Sequence, residues 1–231
     1  MKINALPMRS VASVLAAALF LSGGCARTEY VDLGKEKSDL ISPLRHVGVK
    51  LDPDYIDDFP DCTIVLASET ADGLEFLGPV VEETLARHLS KKMTRVVDPY
   101  ERENLAYQYS LDLRHEHDQE ELADIAGCDT LLNSHVVGSG MTSAVVWSRI
   151  EIGIETLMRR PIDGRVLWRA RHTADRSIGG IPFNPLSGVV ETYRSLNFAA
   201  DSDVAESVID DAIRRVVRSI PDSRLIGRSQ F

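Results

Sequence analysis

The chain has 231 residues, 44% hydrophobic and 6% aromatic, with 35 acidic residues against 26 basic ones and a formal net charge of −9. That length supports one substantial domain and its core, and beyond the amino-terminal stretch no apolar run is long enough to cross a bilayer. So acidic a surface repels phosphate backbones and anionic headgroups, which excludes nucleic acid and electrostatic membrane association as partners.

Residues 1–24 read as a lipoprotein signal peptide. Lys2 and Arg9 form a positive n-region, Val11 to Leu21 an apolar core of signal length, and Leu21-Ser22-Gly23-Gly24 leads straight into Cys25. Small residues before a cysteine let a lipoprotein-type peptidase reach the backbone once the thiol is acylated, and an ordinary export signal needs no cysteine there. Ser22 departs from the pattern, standing where lipoboxes favour leucine, with Leu21 one place early. The expectation is a palmitate-type lipid anchor on Cys25. Ala26 in place of an aspartate after the anchor favours the outer membrane, with the protein facing the periplasm, by a sorting rule of lipoproteins as a class. Taking Lys2 and Arg9 from the 26 basic residues leaves 24 against 35 acidic ones, so the mature chain is more acidic still. Cys62 and Cys128 then face an oxidising compartment.

Residues 25–48 are polar and aperiodic and read as the lipidated cysteine and a flexible tether. A single domain is expected over 49–221, opening on turn chemistry at Asp52-Pro53-Asp54 and Phe59-Pro60-Asp61. Cys62 to Ala67 reads as a buried strand, and Gly78-Pro79 opens a helix striped by Val81, Leu85 and Leu89. Arg95-Val96-Val97 reads as a second strand and Tyr100 to Leu113 as a helix. Asp118 to Glu121 looks like a capping box for a further helix closed by Gly127, and Asp129 to Val137 as a third strand ended by Gly138-Ser139-Gly140. This strand-helix-strand-helix-strand order implies parallel pairing through right-handed crossovers. The first and third strands can then be neighbours, with Cys62 and Cys128 at the same end of the sheet. A disulfide and two buried, unpaired thiols both remain open.

Alternation then takes over. Ile150, Ile152, Ile154, Thr156 and Met158, and after Ile162-Asp163-Gly164 the set Val166, Trp168 and Ala170, predict a hairpin. An even register, supplied by a three-residue loop with Gly164 left-handed, sets Met158 opposite Trp168 and Glu155 opposite Arg171. Gly179 to Asn197 is an apolar excursion whose Ile181, Phe183 and Leu186 either cover the core or dock a partner. The stripe from Val204 to Ile220 is the strongest helix, stopped by Pro221, and 222–231 reads as a disordered tail. The fold class is therefore α/β: a mixed sheet, parallel strands plus an antiparallel hairpin, flanked by helices.

Ile64 to Leu66, Val81 to Leu89, Arg95 to Val97, Ala126-Gly127-Cys128-Asp129-Thr130-Leu131-Leu132 and Asp163-Gly164-Arg165-Val166-Leu167-Trp168 together resemble a superfamily of envelope lipoproteins. Its members include the curli secretion channel, the lipoprotein activators of penicillin-binding proteins and the amino-terminal domain of TolB, whose fold the chain would share over Cys62 to Ile220. Leu66-Ala67-Ser68 stands where that group often has proline-phenylalanine. No pair of long amphipathic segments suits a many-subunit barrel, because one hairpin face carries Glu151, Glu155, Arg169 and Arg171. The resemblance implies an adaptor, activator or assembly factor for an envelope machine, with its protein partner unidentified and a homo-oligomer open. The alternatives are a ring-forming subunit of a secretion or polysaccharide-export complex and an envelope hydrolase.

No residue pattern announces a reaction, a cofactor or a metal. His115-Glu116-His117-Asp118 reads as a solvated loop before a helix cap rather than a metal site. His135 reads as a hydrogen-bonded core histidine and His88 as helix packing. Gly138-Ser139-Gly140 lacks the lysine of a phosphate loop. A hydrolase would need a cleft carboxylate such as Asp98 or Asp129. The arginines of the hairpin, with Arg169 and Arg171 foremost, either pair across strands with Glu151 and Glu155 or face an acidic partner.

Overall fold

A computed structural model describes residues 28–34, 46–72, 74–144, 147–179 and 202–222. The signal peptide with Cys25, the excursion residues Ile181, Phe183 and Leu186, and the tail from 223 onward lie outside the described residues. Among the described residues no helix is long and apolar enough to cross a membrane.

The strands are β1 (Glu29–Asp32), β2 (His46–Leu51), β3 (Cys62–Val65), β4 (Arg95–Val97), β5 (Thr130–Ala144), β6 (Trp147–Arg159) and β7 (Val166–Gly179). The helices are α1 (Asp54–Asp57), α2 (Leu77–Leu89), α3 (Pro99–Tyr109), α4 (Glu116–Ala126) and α5 (Ser202–Val217). Among the described residues these seven strands form one mixed sheet in the order β1-β2-β7-β6-β5-β3-β4. β3 pairs in parallel with β4 and β5, β1 with β2, and the β5–β6, β6–β7 and β7–β2 pairs are antiparallel.

Alternation along β3 and β5 assigns the two faces of the parallel half. Val65 and Leu132 join the main core with Val81, Leu85 and Leu89 of α2. Ile64 and Leu131 join a second core with Leu122, Ala123 and Ala126 of α4, walled by Leu105 of α3. The main core continues under the antiparallel half, where Val208, Ile209, Ala212, Ile213 and Val216 of α5 pack on Ile152, Ile154, Met158, Trp168 and Ala170. Helices thus cover the parallel half on both faces, and among the described residues the antiparallel half on one.

The hairpin register places Met158 opposite Trp168 and Glu155 opposite Arg171, with Gly164 at φ +66°. A bulge after Met158 adds Leu167 to β7 before the turn. Three sequence expectations are corrected. Part of the segment 25–48, taken as a tether, is sheet: Glu29–Asp32 pairs beside His46–Leu51, and Val47 is fully buried. A short charged edge strand is held by main-chain pairing and carries no apolar signature. β5 runs through Gly138 and Gly140 to Ala144, its glycines accommodating a bulge between Val136 and Gly138. α4 begins at Glu116 with His115 as its cap residue, and Asp118 instead accepts a 2.7 Å hydrogen bond from the Asp112 amide, fixing the preceding turn.

Candidate docking face

In sheets of this connectivity, ligands ordinarily sit beyond the carboxyl ends of the strands where the crossovers diverge. Here that point lies between β3 and β5, and main chain closes it. Leu66 N donates to Leu132 O and Glu69 N to Ser134 O, while Val136 N donates to Glu69 O, each at 2.9 Å. The Ser68 and Ser134 hydroxyls meet at 2.6 Å.

Beside it, a cavity of about 670 Å³ between α2 and α3 has an ion pair at its floor. Arg102 Nη1 donates to Glu82 Oε2 and to the Val65 carbonyl, each at 2.9 Å, and Glu82 Oε1 accepts from Ser68 N. Both side chains are buried, and their polar atoms are consumed in holding α2, α3 and the end of β3 together.

The carboxylates singled out in sequence are committed too. Asp98 caps α3 through the Glu101 amide at 2.8 Å. Asp129 accepts from the Asp61 and Cys62 amides, tying the starts of β3 and β5. At that same end Cys62 and Cys128 are joined as a disulfide with Cα atoms 4.8 Å apart. His88 Nε2 meets Asp210 at 2.7 Å across α2 and α5.

The open face of the antiparallel half is built differently. Main-chain pairing lines up two rows across the sheet. One runs Lys50, Arg169, Leu157, Asn133, and the other Gly48, Arg171, Glu155, His135. His135 is therefore not the core histidine its strand suggested: its ring is about half exposed and meets Glu69 at 3.1 Å. β5 passes out from beneath α4 at this point, so its outward residues are no longer buried. A groove of about 510 Å³ along these rows is lined by Glu69, Asn133, His135, Glu155, Leu157, Arg159 and Val166.

The hairpin arginines divide into two sets. Arg159 reaches Gln119 at 2.7 Å and Glu116 at 3.4 Å, binding α4 to β6. Arg160 pairs with Asp54 and Asp163, Arg165 with Asp52 and Asp54, and Arg176 with the Ser207 hydroxyl. The Asp54 amide, with the Arg165 guanidinium, holds the Asp52 carboxyl below the usual carboxylate range. Arg169 and Arg171 remain outward, Arg169 only 3.6 Å from Glu155 and Arg171 without an ion-pair partner among the described residues.

On the covered face, His172 is buried, donates from Nδ1 to the His46 carbonyl at 2.8 Å and has no hydrogen bond at Nε2. Burial, with help from Arg215, pushes its pKa down against the opposing His46 hydrogen bond and Asp211.

Sequence reasoning had singled out Arg169 and Arg171 but missed Lys50, Asn133 and Leu157, which join them only through a register set by β2 and β5. The chain is similar to solved structures that include the PelC dodecamer from Paraburkholderia phytofirmans, at 16% identity over 74% of this chain and 96% of that one (TM-score 0.43). Lipoprotein GNA1162 from Neisseria meningitidis matches at 19% identity over 62% and 100% (TM-score 0.44). The LpoB C-terminal domain from Salmonella enterica matches at 15% over 49% and 81% (TM-score 0.36). No family model matches, and no curated protein does.

Proposed function

We propose that the chain is a lipid-anchored, non-enzymatic lipoprotein of the bacterial envelope. It is held by Cys25 at the periplasmic side of the outer membrane and acts as an adaptor, activator or assembly factor through the open face of its antiparallel half. The observation that carries this reading is the amino-terminal sequence itself: a positive start, a short apolar core and small residues running into Cys25. The fold supports a non-enzymatic role, because Asp98, Asp129 and the Glu82–Arg102 pair serve main-chain and interhelix contacts.

Replacing Cys25→Ser tests the anchor. Loss of metabolic lipid labelling and release from the membrane fraction are expected. Unchanged labelling contradicts the assignment.

A further inference from the structure

We infer that the open face recognises an acidic, extended polypeptide segment of a partner protein. This rests on reading that face as a docking surface and adds the chemistry of what docks there. Lys50 stands directly opposite Arg169, and Arg171 lies one row away on the same face. Like charges directly opposite on neighbouring strands destabilise a sheet. Local rules are broken in this way chiefly where function requires it.

Among the described residues the excess is not relieved internally. Arg159, Arg160, Arg165 and Arg176 are spent on Gln119, Asp54, Asp52 and Ser207, and Glu155, the carboxylate that register sets beside Arg169 and Arg171, touches only Arg169 among the described residues, at 3.6 Å. On these two rows three outward cations therefore share one carboxylate, in a chain whose net charge is −9.

Hydrogen bonding points the same way. Among the described residues Asn133 Oδ1, an acceptor, is buried without a hydrogen-bond partner, and on the same row Arg169 Nε, a donor, has only the 3.6 Å ion contact to Glu155, too long for a hydrogen bond. A backbone N–H would satisfy the first and a carboxylate the second, and Leu157 between them offers apolar contact. An extended chain with acidic side chains supplies both. Because the protein as a whole repels anions, such a ligand can bind only by local recognition.

The test uses the full protein purified from envelopes in detergent and a short fluorescent peptide alternating glutamate with serine, read by anisotropy at low and high salt. Glutamine and lysine versions serve as comparators. The glutamate peptide is expected to bind most tightly and to weaken with salt. The double substitution Arg169→Ala, Arg171→Ala should weaken it about tenfold or more, roughly 1.4 kcal/mol, whereas Arg87→Ala, exposed on α2 over the opposite face of the sheet, leaves it unchanged. Glu155→Gln removes the internal competitor for Arg169 and should tighten binding, a gain that misfolding cannot produce. Indifference to the arginine pair, or no gain from Glu155→Gln, overturns the proposal. Equal binding of the glutamine peptide overturns acid recognition while leaving the docking face itself standing.

Discussion

The two halves of the sheet solve the same problem in opposite ways. In the parallel half, β4, β3 and the start of β5 are sandwiched between α2 and the α3–α4 pair. Two of its charged groups turn inward, Arg102 and Glu82, buried against each other and against main chain. In the antiparallel half, β2, β7 and β6 carry α5 on one face, and on the other present cations that their own strands leave in excess. The contrast separates scaffold from surface: the buried Arg102–Glu82 pair holds elements of the fold together, whereas Lys50 and Arg169 face each other as like charges on the open side.

The largest effects should come from breaking what holds each half. Arg102→Met strands Glu82 in the interior and is expected to cost about 3–5 kcal/mol in denaturant titration, the usual penalty for removing one partner of a buried pair. Trp168→Ala, on the covered side of the antiparallel half, empties a fully buried site closed by an indole N–H bond to Ser219 and should cost a similar 3–5 kcal/mol. If Trp168→Ala cost less than about 1 kcal/mol, α5 would not be packed on that face.

The cysteine pair comes next. A disulfide such as that between Cys62 and Cys128 typically contributes about 2–4 kcal/mol of stability, so Cys62→Ser with Cys128→Ser should lower the midpoint accordingly. Thiol counting on denatured, unreduced protein from the envelope should find the pair oxidised, and two free thiols would contradict the bond.

The open face predicts the opposite sign. Lys50→Thr relieves the repulsion with Arg169 and should raise stability by about 0.2–1 kcal/mol, while weakening capture of the acidic peptide. A destabilised variant would mean that Lys50 contributes to packing.

A smaller effect depends on pH. His172 has a folded pKa below its ordinary value, so its neutral form belongs to the native state. Its contribution is complete above the unfolded pKa near 6.5 and is lost as pH falls through the lower folded value. Stability followed from pH 7.5 to 5 should therefore decline in the parent and decline less in His172→Gln; parallel curves would contradict the burial argument.

Legibility in the sequence followed the same division. The hairpin register was readable because side chains alternate strictly on both sides of Gly164, and the β4-β3-β5 order because strands and helices alternate there. What could not be read depended on tertiary placement. β1 has four residues and little apolar signal, so only its pairing with β2 reveals it. Gly138 and Gly140 are ordinary strand terminators by composition, yet a long partner strand carries β5 through them. Arg102 and Glu82 sit on different helices, and nothing local in either helix announces the other. His135 was misjudged because burial on a strand depends on how far α4 reaches.

Docking on the open face is tested by site-specific photocrosslinking in intact envelopes, with a photoreactive residue at Leu157 on that face and, for comparison, at the exposed Gln108 of α3. Docking there predicts a discrete adduct with a partner protein from Leu157, lost when Arg169 and Arg171 are replaced by alanine, and none from Gln108. Adducts from Gln108 alone, or a Leu157 adduct indifferent to both arginines, would contradict it.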